Sequence, residues 1–119
     1  MKNKKKTATV PKTLRGKKRY WLLCITSPAL LSAPIVTRGL LGFFRELYGS
    51  VGLGRQKLSV VEFNPANGCL IVQCALEHSD DVLAGFVLWN QIQNQAIKPQ
   101  VLLKTGSLKR AREKAQRKA

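Results

Sequence analysis

The sequence predicts an α+β fold whose elements run strand-helix-strand-strand-helix-strand, followed by a basic helix. Three observations predict it: short β-rich runs bounded by turn formers, two apolar stretches of helical character, and an Asn-Pro-Ala-Asn-Gly linker joining two of the runs. At 119 residues with 45% hydrophobic content, the chain has room for one domain around one core.

Residues 20–26 form a short apolar run that stops at Ser27 and Pro28, which suits a buried strand. Ser32 is placed to cap a helix, with Pro34 in its first turn, where the missing N–H costs nothing. Val36, Leu40, Phe43, Phe44, Leu47 and Val51 then recur at steps of three and four, opposite Arg38, Gly42 and Arg45. Gly49, Gly52 and Gly54 are expected to end this helix and form a loop. Residues 58–63 and 69–76 read as a hairpin, since the Asn67-Gly68 step accepts positive φ. Asp80 and Asp81 fit the first turn of a second helix running to about Gln93. Residues 97–103 make a last strand, which Pro99 marks as an edge, and Ser107 is placed to cap the final helix. This order is the split β-α-β arrangement of ferredoxin-like and RNA-recognition-like domains. The expected boundaries are a basic arm over 1–18, one α/β domain over 19–104, and a basic helix over 105–119.

Charge gives the broad function class. Twenty-one Lys and Arg against six Asp and Glu give +15, the footprint of a polyanion binder. Residues 1–19 hold nine basic residues and no acid, and residues 104–119 hold seven against Glu113, while residues 20–103 balance five against five. A neutral middle therefore carries two basic arms, of the density that stays unfolded until a counter-charged partner arrives. Arg15, Lys17, Lys18 and Arg19 on one side, with Lys104, Lys109, Arg110 and Arg112 on the other, are the candidate RNA contacts. Residues 69–76 lack the Gly and aromatic pattern of the RNA-recognition module, so the expected contact is with phosphates and RNA shape.

Enzymatic chemistry finds little support. Asp80 and Asp81 read as helix-start residues, and Cys74 with His78 reads as structural. The glycines at 49, 52 and 54 are not followed by Lys-Ser or Lys-Thr, so they do not form a nucleotide loop. Cys24, Cys69 and Cys74 show no zinc-ligand spacing and read as small buried residues in a reducing compartment. Residues 20–36 are apolar but broken by Pro28 and Pro34, too short to span a bilayer, so the expected setting is cytoplasmic, without a membrane. The second helix is apolar around nearly its whole circumference. Leu88 and Ile92, pointing away from Val82, Phe86 and Trp89, are the expected protein interface.

Three segments carry a resemblance: residues 11–20, PKTLRGKKRY; residues 60–68, VVEFNPANG, with 70–74, LIVQC; and residues 101–110, VLLKTGSLKR. In order and spacing they resemble the component 2 family of archaeal ribonuclease P subunits, which is shared with the eukaryotic enzyme. Thr105-Gly106-Ser107 departs from the family's Ser-Gly-Thr turn, and Gln73 stands where arginine is common. The resemblance implies a subunit without catalytic residues that works with protein component 3 to support the ribonuclease P RNA. That RNA, with magnesium, removes the 5′ leader from precursor tRNA, and no cofactor is implied for this chain itself. A structural protein of another ribonucleoprotein, such as the ribosome, is the competing class, and a pure protein-interaction adaptor a third.

Overall fold

The first strand bears apolar side chains on both faces, and both faces are covered in the computed structural model, which describes residues 17–27 and 30–118. This strand, β1 (Lys18–Thr26), is followed by α1 (Ala33–Gln56), β2 (Ser59–Asn64), β3 (Cys69–Ala75), a single 3₁₀ turn (Leu76–His78) and α2 (Ser79–Leu88). A small hairpin of β4 (Gln91–Ile92) and β5 (Gln95–Ala96) leads to β6 (Lys98–Thr105) and α3 (Leu108–Lys118). The four long strands form one antiparallel sheet in the order β2-β3-β1-β6. This is the expected split β-α-β arrangement with a C-terminal helix, and β6 lies at a sheet edge, where Pro99 leaves no ladder donor missing.

Alternation along the strands separates two cores. Trp21, Leu23 and Ile25 of β1, with Leu70, Val72 and Cys74 of β3, face α1 and α2. There they meet Val36, Leu40 and Phe44 of α1 and Val82 and Phe86 of α2, with Phe44 and Phe86 edge-to-face at 5.6 Å. Leu22 and Cys24 of β1, with Cys69 and Ile71 of β3, face the other way, under Leu108, Ala111 and Ala115 of α3. The final helix thus lies across the sheet rather than trailing away from it.

Several expectations need correction. Gly49 breaks α1 at φ +75°, ψ 169°, but the helix resumes and reaches Gln56, so Gly52 and Gly54 are helical instead of forming a loop. Leu47 and Val51 of the predicted stripe, which flank this break, are exposed. Ser32 takes the N-cap position without a side-chain cap.

The second helix stops at Leu88, not near Gln93. Trp89 turns to extended backbone, and Gln93 and Asn94 both take positive φ, the conformation of a type I′ hairpin turn. Residues 86, 89 and 92 keep a helix-like spacing of apolar residues, but Ile92 reaches the core from the hairpin, packed on Gly39 of α1. Ile92 is 1% exposed, so it is core and not a protein interface, whereas Leu88 is 55% exposed.

The cysteines are not three equivalent buried thiols. Cys24 and Cys69 are register partners in β1 and β3 and form a disulfide, with Cα atoms 3.9 Å apart, while Cys74 is free and buried. The Ile25 N–H donates to the Gly68 carbonyl at 2.9 Å, so the neighbouring Cys24–Cys69 pair occupies the closer, non-hydrogen-bonded position of the ladder. Finally, Lys18, assigned by sequence to the arm, already belongs to β1.

Ile92→Ala should lower stability by about 2–5 kcal/mol through cavity formation. Leu88→Ala should change it by no more than about 0.5 kcal/mol, as an exposed position does. Urea denaturation of the two variants tests this, and equal small losses would return Ile92 to the surface.

Candidate nucleic-acid interface

The strand order brings together basic residues that lie far apart in sequence. β1 begins where β6 ends: Tyr20 is opposite Thr105 and Trp21 opposite Lys104. On its other side Lys18 pairs with Ala75 and Arg19 with Cys74, and the Lys17 carbonyl accepts from the Leu76 N–H at 2.7 Å. The chain leaving β6 turns at Gly106. The Ser107 N–H donates to Thr105 Oγ1 at 3.1 Å, and Ser107 Oγ accepts from the Arg110 N–H at 3.2 Å, capping α3 as expected. The first turns of α3 therefore carry Lys109 and Arg110 back to the same end of the sheet.

Six of the predicted cations converge there: Lys17, Lys18, Arg19, Lys104, Lys109 and Arg110. All are exposed except Arg19, which is half-buried. The Arg19 guanidinium lies against Gly106, and its Nη1 donates to the Lys18 carbonyl at 2.9 Å. The Lys104 ammonium stands 5.5 Å from the centre of the Trp21 ring, which holds the charge at the sheet end by cation–π attraction. No local signal in the sequence links residues 21 and 104; only the strand register does. Glu77, one residue past Leu76, is the acid closest along the chain to this end.

Arg112 does not join the group. It ion-pairs with Glu62 of β2, both side chains about half exposed, and so ties α3 to the far edge strand. Arg15 lies outside the described residues. Among the described residues no group of three or more His, Cys, Asp or Glu side chains is placed to hold a metal ion. Asp80 and Asp81 sit in the first turn of α2, where they complement the helix dipole without a side-chain cap. On the same helix Leu83, Val87 and Leu88 are exposed, an apolar surface that α3, on the opposite face of the sheet, does not cover.

The model of the Rpp14/Pop5 family of ribonuclease P subunits matches residues 19–116. The chain belongs to that family. It is thus a protein subunit of a ribonucleoprotein endoribonuclease of the ribonuclease P and MRP type. No curated protein matches the chain. Among solved structures it is similar to a chain in the cryo-EM structure of yeast ribonuclease MRP, at 13% identity and a TM-score of 0.63, covering 85% of this chain and 92% of that one. That likeness speaks for the fold. The Rpp14/Pop5 match runs from β1 through α3, so it includes Arg19, Lys104, Lys109 and Arg110, the part of the basic end built by the folded domain.

Behind this end, burial pushes the Cys74 thiol up, against the opposing pull of the Trp21 indole and the charges of Lys104 and Arg19. A thiol-reactive dye needs both access and thiolate, so native protein should remain unlabelled at neutral pH. Unfolding without reductant should release one reactive thiol, and unfolding with reductant three. Three thiols without reductant would show that Cys24 and Cys69 are unpaired.

Proposed function

We propose that this chain is component 2 of a ribonuclease P in which RNA, with magnesium, cleaves the 5′ leader from precursor tRNA in the cytoplasm. The protein's part is electrostatic: it seats phosphates of the ribonuclease P RNA against the six-cation end of the sheet. The observation that carries this reading is the convergence of Lys17, Lys18, Arg19, Lys104, Lys109 and Arg110 at one end of the sheet. RNA strands that approach one another in an active fold repel, and fixed ammonium and guanidinium groups offset that repulsion while releasing condensed counterions.

The chemistry is assigned to the RNA. Magnesium is assigned to the RNA as well. The exposed Leu83, Val87 and Leu88 of α2 are the proposed seat of protein component 3, whose binding would remove this apolar surface from water.

Reconstitution tests the whole reading. The chain alone with precursor tRNA and magnesium should leave the substrate intact, and adding it with component 3 to the cognate RNA should raise specific 5′ cleavage. Val87→Glu combined with Leu88→Glu should weaken capture of component 3. Cleavage by the chain without RNA, surviving mock-purification controls, would refute the assignment of the chemistry.

Salt dependence tests the electrostatic part. Log K falls with log salt by about 0.7–0.9 per phosphate contact, so replacing Lys104, Lys109 and Arg110 with Gln should flatten the slope by roughly two to three units. Arg112→Gln should flatten it less, because Glu62 already holds that guanidinium. An unchanged slope in the triple variant would remove the basic end from the RNA interface.

A further inference from the structure

Four side chains form a row across the α3 side of the sheet, one from each strand: Ser59, Gln73, Tyr20 and Thr105 are successive register partners from β2 to β6. The next row inward contains Ile71 and Leu22, and α3 seals it, leaving them 2% and 0% exposed. The outer row is sealed only at Thr105, next to the start of α3. Ser59 is exposed, and Gln73 and Tyr20 are partly so. A ledge of sheet surface therefore stays open beside α3, with the Tyr20 ring at its inner end.

Tyr20 is unusual among the aromatic residues. The other seven, including Trp21, Phe44, Phe86 and Trp89, belong to or pack against the core between sheet and helices α1 and α2. Tyr20 alone is on the opposite face, and among the described residues it has no ring partner and no hydrogen bond to its hydroxyl. Lys18 lies two residues earlier on the same face, and Lys109 and Arg110 lie just past Thr105.

We infer that Tyr20 is a stacking platform for an unpaired nucleobase of single-stranded RNA, with Gln73 and Ser59 beside it to hydrogen-bond the base edge. This deepens the proposed phosphate-binding reading and rests on it. An aromatic face supplies stacking, and the flanking cations supply backbone attraction, the combination that single-stranded RNA binding uses. The charge on this ledge favours a polyanion over an apolar protein segment, and its width of one residue row suits a flat ring. Residues of the sealed inner rows have no such access.

The test uses the full chain and two short single-stranded RNAs of mixed sequence, one carrying abasic sites through its middle. Wild type should prefer the strand with bases by roughly five- to a hundred-fold. Tyr20→Leu should level the two affinities, Tyr20→Phe should keep the preference, and the salt slope should be the same for all three proteins. A photoreactive uridine in the middle of the base-bearing strand should crosslink to the peptide containing Tyr20, which locates the contact even if the Leu variant misfolds. Equal wild-type binding to both strands, a retained preference in folded Tyr20→Leu, or crosslinks elsewhere would overturn the platform while leaving the phosphate reading standing. Failure of wild type to bind either strand would overturn both.

Discussion

β1 has a neighbouring strand on each side and a helical layer on each face, and that placement governs the rest of the molecule. Trp21, Leu23 and Ile25 set where α1 and α2 dock, while Leu22 and Cys24 set where α3 docks. Because successive side chains alternate, one stretch of mostly apolar residues serves both layers. A slip of one residue would exchange the two sets and put Trp21 under α3, in a space lined by the small Ala111 and Ala115. The Cys24–Cys69 bond and the Trp21–Lys104 pairing both fall in place through this register.

How much of this was legible depended on how local each determinant was. The β2–β3 hairpin, the start of α1 near Pro34, the Ser107 cap and the edge position of β6 follow from a few adjacent residues, and all appear where the sequence puts them. The end of α2 was misread because Phe86, Trp89 and Ile92 keep an apolar spacing of three through a change of backbone. That spacing cannot tell a helix from a helix followed by a turn; the cluster of Asn and Gln over residues 90–95 was the better guide. Gly49 has the composition of a terminator, but a single positive-φ residue can bend a helix without ending it when residues beyond it still bury a face, as Leu53 and Gln56 do.

The basic end was legible as a list and not as an arrangement. Charge counting names its cations, yet placing Lys104 beside Arg19 requires knowing that β6 pairs with β1 across some eighty residues of chain. The same ignorance of register placed Arg112 with the other cations, although Glu62 draws it toward the opposite sheet edge. Pairing of Cys24 with Cys69 was invisible for the same reason, their separation of 45 residues being no clue to adjacency. Tyr20 carries no signal of its own in the sequence because it abuts Trp21 in an apolar run, where alternation alone decides which ring is buried.

The crowding of six cations at one end gives the free protein an internal strain of its own. Like charges held at the start of β1, the end of β6 and the start of α3 push those three elements apart whenever no counter-charge is present. A polyanion seated there binds the folded chain in preference to the unfolded one, so its binding energy is added to the energy of folding. A chain holding a polyanion at this end would accordingly be more stable than the free one, and the difference would be largest in dilute buffer, where the repulsion is least screened.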